Sequence, residues 1–169
     1  MKVKKIAVLG LLTAIALTIF LVEARIPALV PIPGIKLGLA NIVTVFTVFL
    51  LGSKEGAAVL ACRIFLGAVF SGDFSTIFYS GAGGLLAILT TIGLKRLLTR
   101  KQLWVAGSLG AIAHSVGQMM AAVAITGEPA LLIYLPVMVV ISIFTGIFTG
   151  LCAQVLLNRG DKLWKTIFR

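Results

Sequence analysis

The chain has 169 residues, of which 60% are apolar and 12% charged, and its mean hydropathy is +1.14. A soluble domain is about half apolar and roughly a quarter charged. This excess cannot be buried in one small core, and disorder requires low hydrophobicity, so a single integral membrane domain over residues 1–169 is the class that remains.

The first apolar segment lies near 6–23, after Lys2, Lys4 and Lys5. A basic start before an apolar run resembles a secretory signal. This run is long for one, and further spans follow, so it reads as a retained first membrane helix. Residues 25–36 come next and contain Pro27, Pro31 and Pro33. Three prolines forbid a regular helix. The segment is still apolar, so it folds on the outer surface as a lid or as a simple interfacial loop. Further spans are expected near 37–52, 56–70, 78–94, 103–126 and 131–157. The second and third are short for a crossing of roughly 20 residues. The apolar runs are too long, and lack the period-two alternation, for a membrane barrel. The expected fold is therefore an all-α bundle of six transmembrane helices.

Charge gives the direction. Lys2, Lys4, Lys5, Lys54, Lys95, Arg96, Arg100, Lys101, Arg159, Lys162, Lys165 and Arg169 fall on one side of such a bundle. Only Arg25 and Lys36 fall on the other, and Arg63 lies within a span. Lys and Arg concentrate on the cytoplasmic side of membrane proteins, so both termini are expected to be cytoplasmic. The net charge of +10 thus needs no nucleic acid, and aromatic residues do not interleave with the basic clusters as a nucleic-acid face would require. Cys62 and Cys152 lie in apolar runs, far apart, and read as buried small side chains, not as a disulfide or a metal site.

Small residues recur at helical spacing in three spans: Ala7, Gly10, Ala14 and Thr18; Gly110, Ala113, Gly117 and Ala121; Ser142, Gly146, Gly150 and Ala153. Such rows allow close backbone approach in lipid. The last two sets suit packing within the chain. The first could equally meet another subunit.

Ionisable groups inside a membrane are costly and mark function by default. Arg63 sits mid-segment. His114 and Gln118 are four apart and share a helix face. Counting about 1.5 Å per residue, Asn41 lies about 6 Å from the outer end of its span, Arg63 about 10 Å, Gln118 about 12 Å and His114 about 18 Å. Lys36 falls at the rim, near Glu23 and Arg25. Together these describe a pocket open to the outside, lined by Glu23, Lys36, Asn41, Arg63, His114 and Gln118. Its two cations favour an anionic or carbonyl-bearing head. Its two amides would orient the ligand, and the apolar helix faces suit a flat or greasy body. Arg63 could instead snorkel, His114 could be an ordinary buried histidine, and Glu23 could merely neutralise a base. Asp73 and Tyr79 flank the outer ends of two spans, and Asp73 reads as a solvated loop acid.

The chemistry of an enzyme is not evident. The five acids are scattered singly, without the Asp-rich motif that holds a Mg²⁺-diphosphate. No GxxxxGK[ST] loop occurs, and no Ser or Cys has a spaced His and acid partner. Gly81-Ala-Gly-Gly84 has no preceding strand, so it reads as helix packing and not as a nucleotide loop. No catalytic residue, cofactor or metal is expected.

Five stretches together carry a resemblance: Glu23; Pro-Gly-Ile-Lys-Leu-Gly-Leu-Ala-Asn at 33–41; Arg63; Phe-Tyr-Ser-Gly-Ala-Gly-Gly-Leu-Leu at 78–86; and Gly-Ala-Ile-Ala-His-Ser-Val-Gly-Gln at 110–118. In their order they resemble the Gx transporter family, often labelled heptaprenyl diphosphate synthase component I. That family often has Asn after the histidine, where this chain has Ser115. It is similar to the S components of energy-coupling factor (ECF) transporters, six-helix subunits of the cell membrane that bind micronutrients from outside. The resemblance implies a ligand held beneath the loop between the first two spans; the sequence does not name it, and a vitamin, a quinone precursor and an isoprenoid precursor all stay open. It implies partnership with a membrane coupling subunit and two ATPases. It also implies that Ala7, Gly10 and Ala14 meet that coupling subunit. The rival reading is a non-catalytic membrane subunit of a prenyl diphosphate synthase.

Overall fold

The computed structural model describes residues 2–25, 36 and 38–160. The described residues form six α-helices and no strand: α1 Lys2–Glu23, α2 Asn41–Leu50, α3 Ser53–Ser71, α4 Ser75–Lys95, α5 Leu103–Thr126 and α6 Leu135–Arg159. Short 3₁₀ turns, Arg100–Gln102 and Pro129–Tyr134, lead into α5 and α6. The segment expected to form an outer lid lies mostly outside the described residues.

Glycine sets several helix ends. Gly72 and Gly127 take left-handed conformations (φ 69° and 70°) just past α3 and α5. Their N–H groups return to the carbonyls of Val69 and Val123, so the last turns close without strain. Gly52, at φ 131°, makes the turn between α2 and α3.

Four stretches are long and apolar enough to cross a membrane: Val3–Glu23, Ser75–Lys95, Arg100–Thr126 and Pro129–Arg159. α3 has 19 residues but carries Lys54, Glu55 and Arg63. α2 departs most from expectation. A span was expected near 37–52, yet the helix has only 10 residues, about 15 Å at 1.5 Å per residue. Leu39 and Ala40 form a turn, and Gly38 before them adopts φ 78°, a conformation that breaks a right-handed helix.

This short helix is the centre of the molecule. It touches each of the other five helices, and eight of its residues are buried. Val43, Val45, Phe46, Val48 and Phe49 pack with Leu12 and Ala16 of α1, Val59 and Leu60 of α3, Ile88 of α4, and Leu103, Ala153 and Leu157 from α5 and α6. A helix apolar all round is one that others surround.

Around it, α4, α5 and α6 pack closely in sequence order. Their contact surfaces are backbone on backbone. A Cβ on Gly107 would run into the Gly146 carbonyl, and one on Gly146 or Gly150 would lie 2.5 Å from Ser108 Cα or 2.6 Å from Trp104 Cα. On the other side of α5, a Cβ on Gly117 would fall 2.8 Å from Gly83 Cα. The small residues of α5 therefore serve two neighbours, α6 and α4. The row on α1 serves none among the described residues: Ala7, Gly10 and Ala14 are exposed there, and no described residue lies within 4 Å of a Cβ on Gly10.

Two polar contacts fix the end opposite Gly38. Lys95 Nζ donates to the Val48 carbonyl at 2.6 Å, near the C-terminus of α2. Lys5 pairs with Glu55 at 2.5 Å, tying α1 to α3. The cysteines correct the sequence reading. Cys62 is exposed and Cys152 half-buried, both as free thiols, because an apolar run does not reveal which face of its helix turns outward.

Candidate functional site

The site grows from the break before α2. Backbone amides at a helix start have no partner within the helix, and inside an apolar bundle each one is costly to leave bare. Glu23, the last residue of α1, supplies the acceptors. Its carboxylate takes the N–H of Gly38 at 2.6 Å and of Leu39 at 3.0 Å. The amides of Asn41, Ile42 and Val43 close short turns to the carbonyls of Gly38, Leu39 and Ala40. Glu23 is thus a cap on the central helix. Among the described residues it forms no ion pair with Lys36 or Arg63, although both cations lie close enough to feel its charge.

The cations gather on one ring. Lys36 Nζ sits 3.6 Å from the centroid of Phe20, and Arg63 Cζ 5.8 Å from it. Phe20 lies one helical turn before Glu23, on the same face. It is buried against α3, where a Cβ on Gly67 would strike its ring at 2.7 Å. Cations over an aromatic face are attracted by its quadrupole, more so when desolvated. Burial lowers the Lys36 pKa, opposed by the charges of Glu23 and Asp73.

The other wall is built by α4 and α5. A Cβ on Gly38 would come within 3.0 Å of His114 Cδ2 and 3.1 Å of Asn41 Nδ2. One on Gly83 would come within 2.9 Å of His114 Cε1 and 2.8 Å of Gln118 Cγ. The imidazole therefore lies between two glycines, one on each side. His114 is twelve residues from the Thr126 end of α5, about 18 Å at the helical rise. The chain at Gly38 consequently reaches the same depth, near the middle of the bundle. Asn41 begins the helix and does not sit a turn inside it, so the separate depths expected for Asn41 and His114 merge.

All five groups inside the bundle are buried: Glu23 is 4% exposed, Asn41 7%, Arg63 2%, His114 2% and Gln118 0%. Lys36 is half-buried. Most buried polar atoms in folded proteins are hydrogen-bonded. Here Asn41 Nδ2 and Oδ1, Thr44 Oγ1, Arg63 Nε and Nη2, His114 Nδ1, and Gln118 Nε2 and Oε1 have no partner among the described residues. Below Asn41 a cavity of about 10 Å³ runs between α2, α4, α5 and α6, past Thr44, Thr91, Gly110 and Thr149. That is about the space of one water molecule.

Asp73, expected as a solvated loop acid, also holds the start of a helix. Its carboxylate accepts from the Ser75 hydroxyl at 2.6 Å, the Ser75 N–H at 3.0 Å and the Thr76 hydroxyl at 3.2 Å. The Ser75 hydroxyl is the main reason its pKa is lowered. It caps the start of α4, and the buried Tyr79 packs with Met119 and Met138.

Four contributors to the cluster escape a search for charged groups. Phe20, Gly38, Gly83 and Thr44 have no charge to draw notice. Phe20 and Gly38 still carry a signal, one helical turn from Glu23 and two residues from Lys36.

A model of the family described as heptaprenyl diphosphate synthase component I matches residues 12–156. The chain belongs to that family. Neither a curated protein nor a solved structure matches it. The component I match spans every group of the cluster, from Phe20 to Gln118. It begins after Ala7 and Gly10, so these two residues of the outward row of α1 lie before the matched segment.

Proposed function

We propose that this component I protein is a substrate-binding membrane subunit, similar in role to an ECF S component, that takes a small anionic or polar-headed ligand from the outer face of the cell membrane. One observation carries the reading: Asn41, Arg63, His114 and Gln118, from three helices, hold buried polar atoms without a partner among the described residues, and Asn41 and His114 both lie against Gly38 at the break before α2. Lys36 and Arg63 hold the head, Asn41 and Gln118 fix its orientation, His114 lines the inner wall, and Glu23 holds the backbone beneath them. A half-helix that begins inside a bundle, with its break buried in protein, is a device of membrane transporters.

The reading includes a single domain that crosses the membrane six times with both termini in the cytoplasm. The charge asymmetry supports this, as do two polar contacts, Lys95 to Val48 and Lys5 to Glu55, at the Lys-rich end. α2 and the loop before it complete one crossing together. Ala7, Gly10 and Ala14 face outward and are free to meet a coupling subunit, itself joined to ATPases. The chain acts without catalysis of its own, and the commitment of the Glu23 carboxylate to two amides supports that, since it is not poised as a base or metal ligand.

The family description favours a second reading, a membrane component associated with a prenyl diphosphate synthase. The two separate by experiment. Purification in mild detergent should bring down membrane and ATPase partners together with a bound small molecule that mass spectrometry can identify. Recovery of a soluble synthase subunit alone would favour the second reading. Arg63→Ala should reduce retention of the bound compound at least tenfold while the protein stays folded; unchanged retention removes Arg63 from the site.

A further inference from the structure

The buried charges of the site can be counted, and the count limits what enters. Lys36 and Arg63 contribute two positive charges and Glu23 one negative, with His114 counted neutral. Arg25 is exposed at the end of α1. Asp73 lies at the rim, where water weakens its pull on Lys36, and it is not counted with the buried groups. Residues 26–35 and 37 carry no ionisable side chain and leave the sum as it stands. The start of α2 adds little, because its first amides go to Glu23 and to the turn carbonyls.

Resting on the binding reading above, we infer that the occupant carries one negative charge, on a carboxylate-like group facing Arg63, beside a polar edge with both donors and acceptors, and that an isoprenoid diphosphate does not fit. A single anion brings the buried sum to zero. A diphosphate would bury about two further negative charges without counter-ions, and unpaired buried charge is strongly unfavourable. The unpartnered Nε and Nη2 of Arg63 form part of the planar fork that matches a carboxylate. Asn41 and Gln118 each leave both an amide nitrogen and an amide oxygen open, so a plain hydrocarbon body beside the anion would leave acceptors and donors alike unsatisfied.

The test uses the full-length chain purified in detergent. The compound that co-purifies is extracted, identified by mass spectrometry, and titrated back calorimetrically; farnesyl diphosphate is titrated in parallel. Wild type, Arg63→Ala, Arg63→Lys and Lys36→Gln are compared, with thermal unfolding measured on each. The expected result is a compound with one ionised acidic group that binds at least about 100-fold more tightly than farnesyl diphosphate. Lys36→Gln should weaken it about tenfold or more, and Arg63→Lys should weaken it less than Arg63→Ala. A neutral, cationic or multiply anionic compound whose binding needs Arg63 overturns the charge assignment and leaves the binding site standing. So does farnesyl diphosphate binding of equal strength. A folded chain that yields no compound and binds no farnesyl diphosphate removes the site itself and this inference with it.

Discussion

Glu23 and Gly38 decide whether the centre of the molecule holds its shape. The Glu23 carboxylate has two oxygens and serves two amides. Glu23→Gln keeps one acceptor, whereas Glu23→Ala keeps none. Hydrogen bonds to a charged group contribute about 1.5–3 kcal/mol each, so thermal unfolding in detergent should rank wild type above Gln and Gln above Ala. An Ala variant as stable as wild type would mean that Glu23 does not hold the backbone. Gly38 is limited in two ways. Its φ of 78° is unfavourable for any residue with a Cβ, and the added atom would press on His114 at 3.0 Å. Gly38→Ala should cost roughly 1–2 kcal/mol from the backbone alone and should displace the imidazole. Loss of ligand retention larger than the loss of stability is the expected signature.

Among the elements, glycine separates internal contact from free surface. Gly107 lies where α5 and α6 touch through their backbones, whereas Gly10 meets none of the described residues. Gly107→Val should split that helix pair and lower the unfolding midpoint sharply. Gly10→Leu should leave folding intact or improve it, since glycine is a poor helix former. If the outward face of α1 meets a partner, Gly10→Leu should nonetheless break co-purification with it, and intact co-purification would free that face of the role. The existence and order of the helices were legible in the apolar runs, as was the identity of the charged groups that gather. The limits of α2 were not. Val, Ile and Phe continue through 42–49 at full hydropathy, and hydropathy does not register that a glycine turn and a distant carboxylate have replaced the first part of that span. Nor could spacing along each helix show that Asn41 and His114 meet, because that depends on how deep the loop descends.

For the whole molecule, the charge pattern makes a directional statement. Lys54, Lys95 and Arg100 should lie on the face opposite Asp73 and Glu128. Single cysteines placed at 54 and at 128, in a background with Cys62 and Cys152 replaced, should react with a membrane-impermeant maleimide from opposite sides of intact cells. Reaction of both from the same side would overturn the topology. The Lys5–Glu55 pair at the Lys-rich end is partly open to solvent, and such pairs contribute about 0.2–1 kcal/mol. A double-mutant cycle should return a coupling in that range, and the pair therefore serves to align α1 with α3 more than to hold them together.

The central helix is fastened at one end by α1 and at the other by Lys95 at the close of α4. Those fasteners leave the ribosome at very different times. Glu23 is made before residues 41–50, but Lys95 comes some 45 residues after them. A nascent chain released before that lysine would have a ten-residue apolar helix whose Val48 carbonyl lacks its donor. The segment must wait, loosely placed, until the fourth helix arrives, so early termination within α4 should send the product to membrane proteolysis instead of yielding a stable fragment.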